Sequence, residues 1–314
     1  SRDWSSDVCS SDLPVPARAA SQDVKRQRAI DALSKLPPFS PILSKLMASL
    51  AGQDVSFVVL GDLIEKDTVV AGNILRVVNS AIYARRGEVN SVRRALSVLG
   101  LERVRNTVLA MSISRMLNDA KTPSGWSMGN FNRHAAGVAM LSDLLSQNVP
   151  VDYAEGAFVA GLLHDVGQML IAMGLREDYM EIQRLNKNGH PWTDCEHRVL
   201  GFDHAELSYD ALRSWKLPQP ICVAVGQHHD PPSNPPGACL PLGRVLQAAD
   251  TYVNGLGLTI RADNPEDDGR QGLLALGLAP EKLDRILDQF HAEHNAIAQY
   301  RSEEHTSELQ SRET

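Results

Sequence analysis

The sequence predicts an all-α protein whose first hundred-odd residues form a bundle of short helices, and three observations carry that reading. Apolar residues recur at helical spacing in segment after segment. No alternating apolar and polar run exceeds a few residues, and neither an internal repeat nor a Gly-rich phosphate loop interrupts the pattern. At 43% hydrophobic and 22% charged over 314 residues, the chain has the composition of a globular protein with a sizeable core.

Residues 14–35, rich in Ala, Arg and Gln, read as a linker or frayed helix, and Leu36-Pro37-Pro38 ends them. Residues 36–122 form the N-terminal lobe. Ile42, Leu43, Leu46, Met47 and Leu50 mark its first helix. Ser56 caps a second, with Phe57, Leu60, Leu63 and Ile64 on its apolar face. Asp67 or Thr68 caps a third, carrying Val70, Ile74, Leu75 and Val78 up to Asn79-Ser80, a pair expected to lock the following loop. Ser91 opens a fourth through Val92, Ala95, Leu96 and Leu99. Gly100 stops it, and a fifth runs through Val104, Val108, Met111 and Ile113. Lys121–Asn130 reads as a hinge or long loop. The second lobe, 123–300, resumes with helices near 131–147, 152–173, 176–188, 193–200, 204–215, 218–229, 241–254 and 280–299. Pro231, Pro232, Pro235 and Pro236 make an extended loop, and Asp263–Arg270 is polar and expected to be exposed.

Residues 1–13 and 301–314 resemble translated sequencing-adapter DNA read in opposite senses, and are expected to be foreign to the fold. Each end carries a charge of −2, so the total of −7 leaves −3 for the remainder. An acidic balance argues against a general nucleic-acid binder, which shows a basic stripe. Cys195, Cys222 and Cys239 are too widely spaced for a metal knuckle or a disulfide framework. They are read as buried or incidental thiols in a cytoplasmic protein. The most apolar stretch, Ala157–Leu175, is interrupted by His164 and Asp165 and makes a poor membrane span.

That interruption is where the chemistry begins. An unpaired aspartate in the most apolar helix is costly, and it persists only beside a charge, hydrogen bonds or a metal. Adjacent helix positions diverge by about 100°, so His164 and Asp165 can grip two edges of one ion while their neighbours pack. His228-His229 repeats the arrangement at the end of another helix, and His134, His204 and Asp250 complete a candidate ligand set. Nitrogen and carboxylate donors of this kind suit iron, manganese or zinc better than calcium. Taken singly, His134 and His204 could equally cap or brace a neighbouring helix.

The order His134, then His164-Asp165, then Asp250 resembles the HD superfamily, and His204, His228 and His229 between them resemble its dinuclear branch. Several further motifs fall in sequence: Leu36-Pro-Pro-Phe-Ser40, Asp67, Leu75-Arg-Val-Val-Asn-Ser80 and Val98-Leu-Gly100. They continue with Gly161-Leu-Leu-His-Asp-Val-Gly167, Gly201-Phe-Asp-His204 and Trp215-Lys-Leu-Pro218. Together, over about 36–253, they are similar to the HDOD family, the HD-related output domain of bacterial signalling proteins. The resemblance implies an N-terminal helical lobe packed on an HD-like lobe and a regulatory role, with one or two divalent transition ions held by the seven residues. It leaves open a signalling protein or a small nucleotide as partner. The alternative is a metal-dependent phosphohydrolase, in which Asp165 would be the candidate catalytic carboxylate. Two departures bear on that choice. Gln168 stands where relatives that hydrolyse cyclic di-GMP carry lysine, and Asp230-Pro-Pro-Ser-Asn-Pro-Pro-Gly237 replaces their Gly-Tyr-Pro loop.

Other candidates have plainer readings. His190 and His197 belong to loops or the surface, and His291 and His294 to the solvated face of the last helix. Arg93, Arg94, Arg103 and Arg105 flank Gly100 in a manner reminiscent of helix-turn-helix, but they alternate with core positions and are expected to pack between the lobes.

Overall fold

The computed structural model describes residues 15–50, 56–79, 89–118, 120–233, 238–260 and 269–294. The adapter-like ends, the loop that Asn79-Ser80 was expected to lock, Pro235-Pro236 and most of Asp263–Arg270 lie outside them. Among the described residues every regular element is helical apart from one isolated bridge between Val151 and Leu240. The all-α expectation holds.

In the N-terminal lobe, local side-chain chemistry sets where helices begin. These are α2 (Pro41–Ser49), α3 (Phe57–Glu65), α4 (Thr68–Val78), α5 (Val92–Leu99) and α6 (Leu101–Asn118). Ser40, Ser56, Asp67 and Ser91 each accept a hydrogen bond from an otherwise orphaned amide in the first turn of α2 to α5. Gly100 ends α5 at φ 87°, a conformation that favours glycine. Asn79 closes α4: its Nδ2 donates to Leu75 O at 2.8 Å and Val89 O at 2.7 Å, while its Oδ1 accepts from Val89 N at 2.8 Å. The lobe's interior is aliphatic, with Leu43, Leu46, Leu60, Ile64, Ile74, Leu96 and Leu109 fully buried.

The second lobe contains α7 (Met128–Ser146), α8 (Ala157–Leu163), α9 (Val166–Gly174), α10 (Arg176–Lys187) and α11 (Trp192–Leu200). It continues with α12 (His204–Ser214), α13 (Gln219–Gly226), α14 (Leu242–Gly255), α15 (Arg270–Leu274) and α16 (residues 280–294). Helix α6 leans on α7 and α8 and joins the lobes. Around the future site, α7 packs on α8 and α14, α8 also on α13, α9 on α12, and α13 on α12 and α14.

Three expectations change. The single helix expected over 152–173 is two helices, broken at His164-Asp165, and Asp152 instead accepts a hydrogen bond from Leu242 N at 3.0 Å, fixing the start of α14. Of the two readings of residues 14–35, linker or frayed helix, a helix forms, α1 (Val15–Asp31), and it is docked on α9, α11 and α12 of the second lobe. Lys25 pairs with Asp178 at 2.7 Å, Arg26 with Asp210 at 2.6 Å, and Ala29 is fully buried. Finally, His291 and His294, expected on a solvated face, are only partly exposed: His291 Nε2 lies 3.1 Å from Tyr252 Oη, and the His294 ring stacks on Phe290. Residues 154–174 are apolar enough to cross a membrane by length and composition, yet 94% of that window is buried inside the protein.

Three of the four arginines that suggested helix-turn-helix are engaged in ion pairs. Arg93 meets Asp62, Arg105 meets Glu102, and Arg103 meets Glu293 of α16 across the lobes. Cys195 and Cys222 are free, buried thiols and Cys239 is free and exposed. His190 and His197 are at the surface, as expected.

Candidate metal centre

The break between α8 and α9 is the seed of the site. Asp165 occupies the N-cap position of α9, where an aspartate ordinarily caps its own helix, but its side chain makes no cap hydrogen bond. It points inward instead, 5% exposed, toward the histidines. Two glycines flanking the dipeptide explain how those histidines come close. A Cβ on Gly161 would stand 2.6 Å from Ala139 Cα, so its absence lets α7 press against α8 and deliver His134. A Cβ on Gly167 would run into the His204 carbonyl, so its absence lets α12 deliver His204. The Gly167 amide also donates to Ser208 Oγ of α12 at 2.8 Å.

All seven residues singled out in the sequence converge here. On one side, His134 Nε2 lies 3.2 Å from His164 Nε2, 3.4 Å from Asp165 Oδ2 and 3.1 Å from Asp250 Oδ1. His164 Nε2 lies 3.3 Å and 3.5 Å from the same two oxygens. On the other side, His204 Nε2 is 3.0 Å from Asp165 Oδ1 and 2.8 Å from His229 Nε2. His228 Nε2 stands 3.9 Å from that oxygen. The two oxygens of Asp165 therefore face two different donor clusters.

These donors fit metal ions. Nitrogen and oxygen atoms about 2.1 Å from one ion stand roughly 3.0–3.4 Å apart in octahedral or tetrahedral arrangements, which is the spacing of the first cluster. The imidazoles are also oriented for it. His134, His164 and His228 each hold Nδ1 within 2.7–2.8 Å of a carbonyl oxygen, of Leu258, Gly161 and Val225 respectively. Nδ1–H donates outward, so Nε2 presents a lone pair inward, the arrangement typical of metal-ligating histidine. Two such lone pairs facing each other at 3.2 Å make no hydrogen bond in the neutral rings. His228 Nε2 is buried with no hydrogen-bond partner at all, a costly state without a cation.

The electrostatics express the same demand. Burial opposes charge on His164, but Asp165 and Asp250 outweigh it and hold the ring well above its ordinary pKa; His134 is raised in the same way. Burial would raise Asp165 and Asp250, yet the facing histidines hold both well below the usual carboxylate range. His228 is pushed well down by burial and its three neighbouring imidazoles, and His229, at the mouth, is pushed to about 4. Two buried carboxylates thus draw in positive charge, which protons supply and a divalent ion would supply in the same place.

One residue escaped sequence reasoning. Glu196 of α11 is completely buried. Its Oε2 accepts from His204 Nδ1 at 2.6 Å and His204 N at 3.0 Å, and its Oε1 accepts from Trp192 Nε1 at 2.6 Å. The signal available was a carboxylate on the face of α11 that carries Trp192, one turn earlier, and Leu200, one turn later. The polar run Glu196-His197-Arg198 disguised it.

A cleft of ≈ 180 Å³ opens over the centre, walled by Gln168, Trp192, Thr193, Asn254, Thr259 and Ile260 besides the ligand residues. Asn254 Nδ2 donates to Asp250 Oδ1 at 2.9 Å. Among the described residues lining it there is no lysine or arginine.

Comparison with known proteins follows the same lines. An HDOD domain protein of unknown function from Geobacter sulfurreducens shares the fold with a TM-score of 0.67 and 22% identity, over 89% of this chain and 94% of that one. A Marinobacter aquaeolei VT8 protein, provisionally described as a signal transduction protein, gives 0.67 and 21%, over 90% and 65%. A Shewanella amazonensis SB2B protein, provisionally described as a phosphohydrolase, gives 0.66 and 21%, over 87% and 97%. An uncharacterized protein of Treponema pallidum (strain Nichols) is 21% identical over 209 residues, 65% of this chain and 40% of that protein. The chain thus spans about two fifths of the curated relative it matches. Identities this low establish the fold alone, but the HDOD domain family model matches residues 36–231, more than half of the chain. This protein belongs to the HDOD domain family.

Proposed function

We propose that this chain is a bacterial, cytoplasmic signal-transduction module whose second lobe carries a divalent transition-metal centre and acts by binding a ligand or protein partner. His134, His164, Asp250 and Asp165 Oδ2 would hold one ion, of iron, manganese or zinc. His204, His228, His229 and Asp165 Oδ1 would hold a second. When bound, such a pair polarises an oxyanion and lowers the pKa of a coordinated water. The chain's own residues set how that capacity is used. Trp192 and Ile260 wall one side of the cleft and limit water, while Gln168, Thr193 and Asn254 offer neutral polar groups.

The single observation that carries a regulatory reading over a catalytic one is that, among the described residues, no lysine or arginine lines the cleft. A phosphodiester in transit needs positive charge beyond the ions themselves to hold its non-bridging oxygens, and Gln168 gives none. The cleft is also smaller than the 300 Å³ or more typical of sites that enclose a drug-sized ligand. A small nucleotide would leave its base outside, where a partner protein could read it.

A second reading, metal-dependent phosphohydrolysis, is favoured by Asp165 facing both clusters, the layout of a two-ion site. The protein provisionally described as a phosphohydrolase shares this fold. The test is elemental analysis of the full chain and of Asp165→Ala, followed by assay of both with bis-(p-nitrophenyl) phosphate and cyclic di-GMP. One to two equivalents of metal, lost in the variant, with no turnover, is the expected result. Turnover abolished by Asp165→Ala transfers the conclusion to the second reading, and a metal-free parent chain overturns both.

A further inference from the structure

The four inward-facing imidazoles buried in the centre are anchored in two ways. His134, His164 and His228 donate Nδ1–H to backbone carbonyls, neutral acceptors that merely fix the ring. His204 alone donates to a carboxylate, Glu196 Oε2, at 2.6 Å. Glu196 is fully buried, and its hydrogen bonds run to His204 and the Trp192 indole, neither of them lysine or arginine. A buried carboxylate with no fixed cation beside it is expensive unless positive charge is supplied through a neighbour. Here the neighbour is an imidazole whose opposite nitrogen, Nε2, faces Asp165 Oδ1 and His229 Nε2.

From this asymmetry, and resting on the metal-centre reading above, we propose that Glu196 is a positioning residue that sets the affinity of the second ion and leaves the first untouched. Hydrogen-bonded to Nδ1–H, the carboxylate increases electron density at Nε2 and adds one negative charge behind it, which strengthens donation to a cation. The first cluster has no equivalent. Its histidines rest on carbonyl oxygens, and among the described residues its negative charge comes from Asp165 and Asp250. The two ions are thus held unequally, and the second depends on a residue that touches no ion. A purely structural role is the competing account, since Glu196 also accepts the first amide of α12 and the Trp192 indole.

The experiment separates them with Mn2+ as probe, titrated into the full metal-stripped chain and followed by electron paramagnetic resonance, which distinguishes an isolated ion from a coupled pair. Glu196→Gln, near in shape but neutral, is expected to retain the first equivalent and weaken the second by 10–100-fold, with loss of the coupled signal. The first equivalent is the internal control, because a purely structural role for Glu196 would weaken both sites together. Loss of neither equivalent in Glu196→Gln, or of both, overturns the proposal. If Glu196→Gln does not fold, Glu196→Asp carries the test, because it keeps the charge but lengthens the Nδ1 contact. An unchanged second equivalent there overturns the proposal as well. A parent chain that takes up no Mn2+ condemns the metal-centre reading itself, a result distinct from two equivalents in both parent and variant.

Discussion

The two lobes are built to different rules. In the N-terminal lobe, four successive helices open on a serine or aspartate that caps them, and the interior is aliphatic. In the second lobe, α8, α9, α10, α11, α13 and α14 begin with no side-chain cap, and Pro191, Pro218 and Pro241 stand before three of them. Buried polar residues divide the same way: Asn106 and Ser112 lie in the first lobe, while His134, His164, Asp165, Gln168, Glu196, His204 and His228 lie in the second. A lobe whose side chains are free to stabilise helix ends is a scaffold. One whose aspartate sits at a cap position without capping has spent that stability on a site.

If that contrast is right, glycines in the two lobes answer a methyl group oppositely. Gly167→Ala drives a Cβ into the His204 carbonyl and is expected to destabilise the fold by about 2–4 kcal/mol and to lower metal content with it. Gly72→Ala, inside α4 with open space around it, is expected to stabilise by about 0.5–1 kcal/mol and leave metal content alone. Denaturant melts and elemental analysis of both variants check this, and equal responses would break the comparison.

A smaller effect probes the seam where α6 and α16 meet the start of the second lobe. Asp143 of α7 is raised to about 6 by burial and by Glu102, against the pull of Arg105 and Arg103. Because the folded value lies above the unfolded one, its contribution to stability is complete below about pH 4 and is lost as pH rises through 6. Asp143→Asn is therefore expected to raise stability by about 1–2 kcal/mol at pH 7–8 and to flatten the pH profile between 4 and 6. A profile identical to the parent's would show that the seam is open to water.

Smallest of the three, Asp67→Ala removes the α4 cap, whose oxygen accepts from Val69 and Val70 amides at 3.1 Å. It is expected to cost about 1 kcal/mol in thermal unfolding with no change in bound metal. A fall in metal content would mean the scaffold lobe reaches the site after all.

What was legible in the sequence follows the same division. Helix starts in the first lobe could be read because Ser56, Asp67 and Ser91 act within four residues of themselves. The seven site residues could be read because histidine and aspartate inside apolar helices are anomalous wherever they occur. The break at His164-Asp165 could not, since it follows from Asp165 turning to partners on α7, α12 and α14. Glu196 was hidden for a like reason: nothing within α11 distinguishes a buried carboxylate from a solvated one until His204 is placed beside it. Helix α1 lacks an apolar stripe, and its docking by Lys25 and Arg26 is invisible to hydrophobic periodicity.

That helix has a consequence for how the molecule assembles. The hydrogen bonds of Lys25 and Arg26 span 153 to 184 residues of chain. Such closures are entropically late, and they raise the contact order of the chain. On the ribosome, α1 is made before the N-terminal lobe, yet its docking surface on α9, α11 and α12 is complete only once α12 has emerged. The lobe between them, self-capped and aliphatic, can fold while α1 waits, so a helix made earlier than that lobe finds its place later than it.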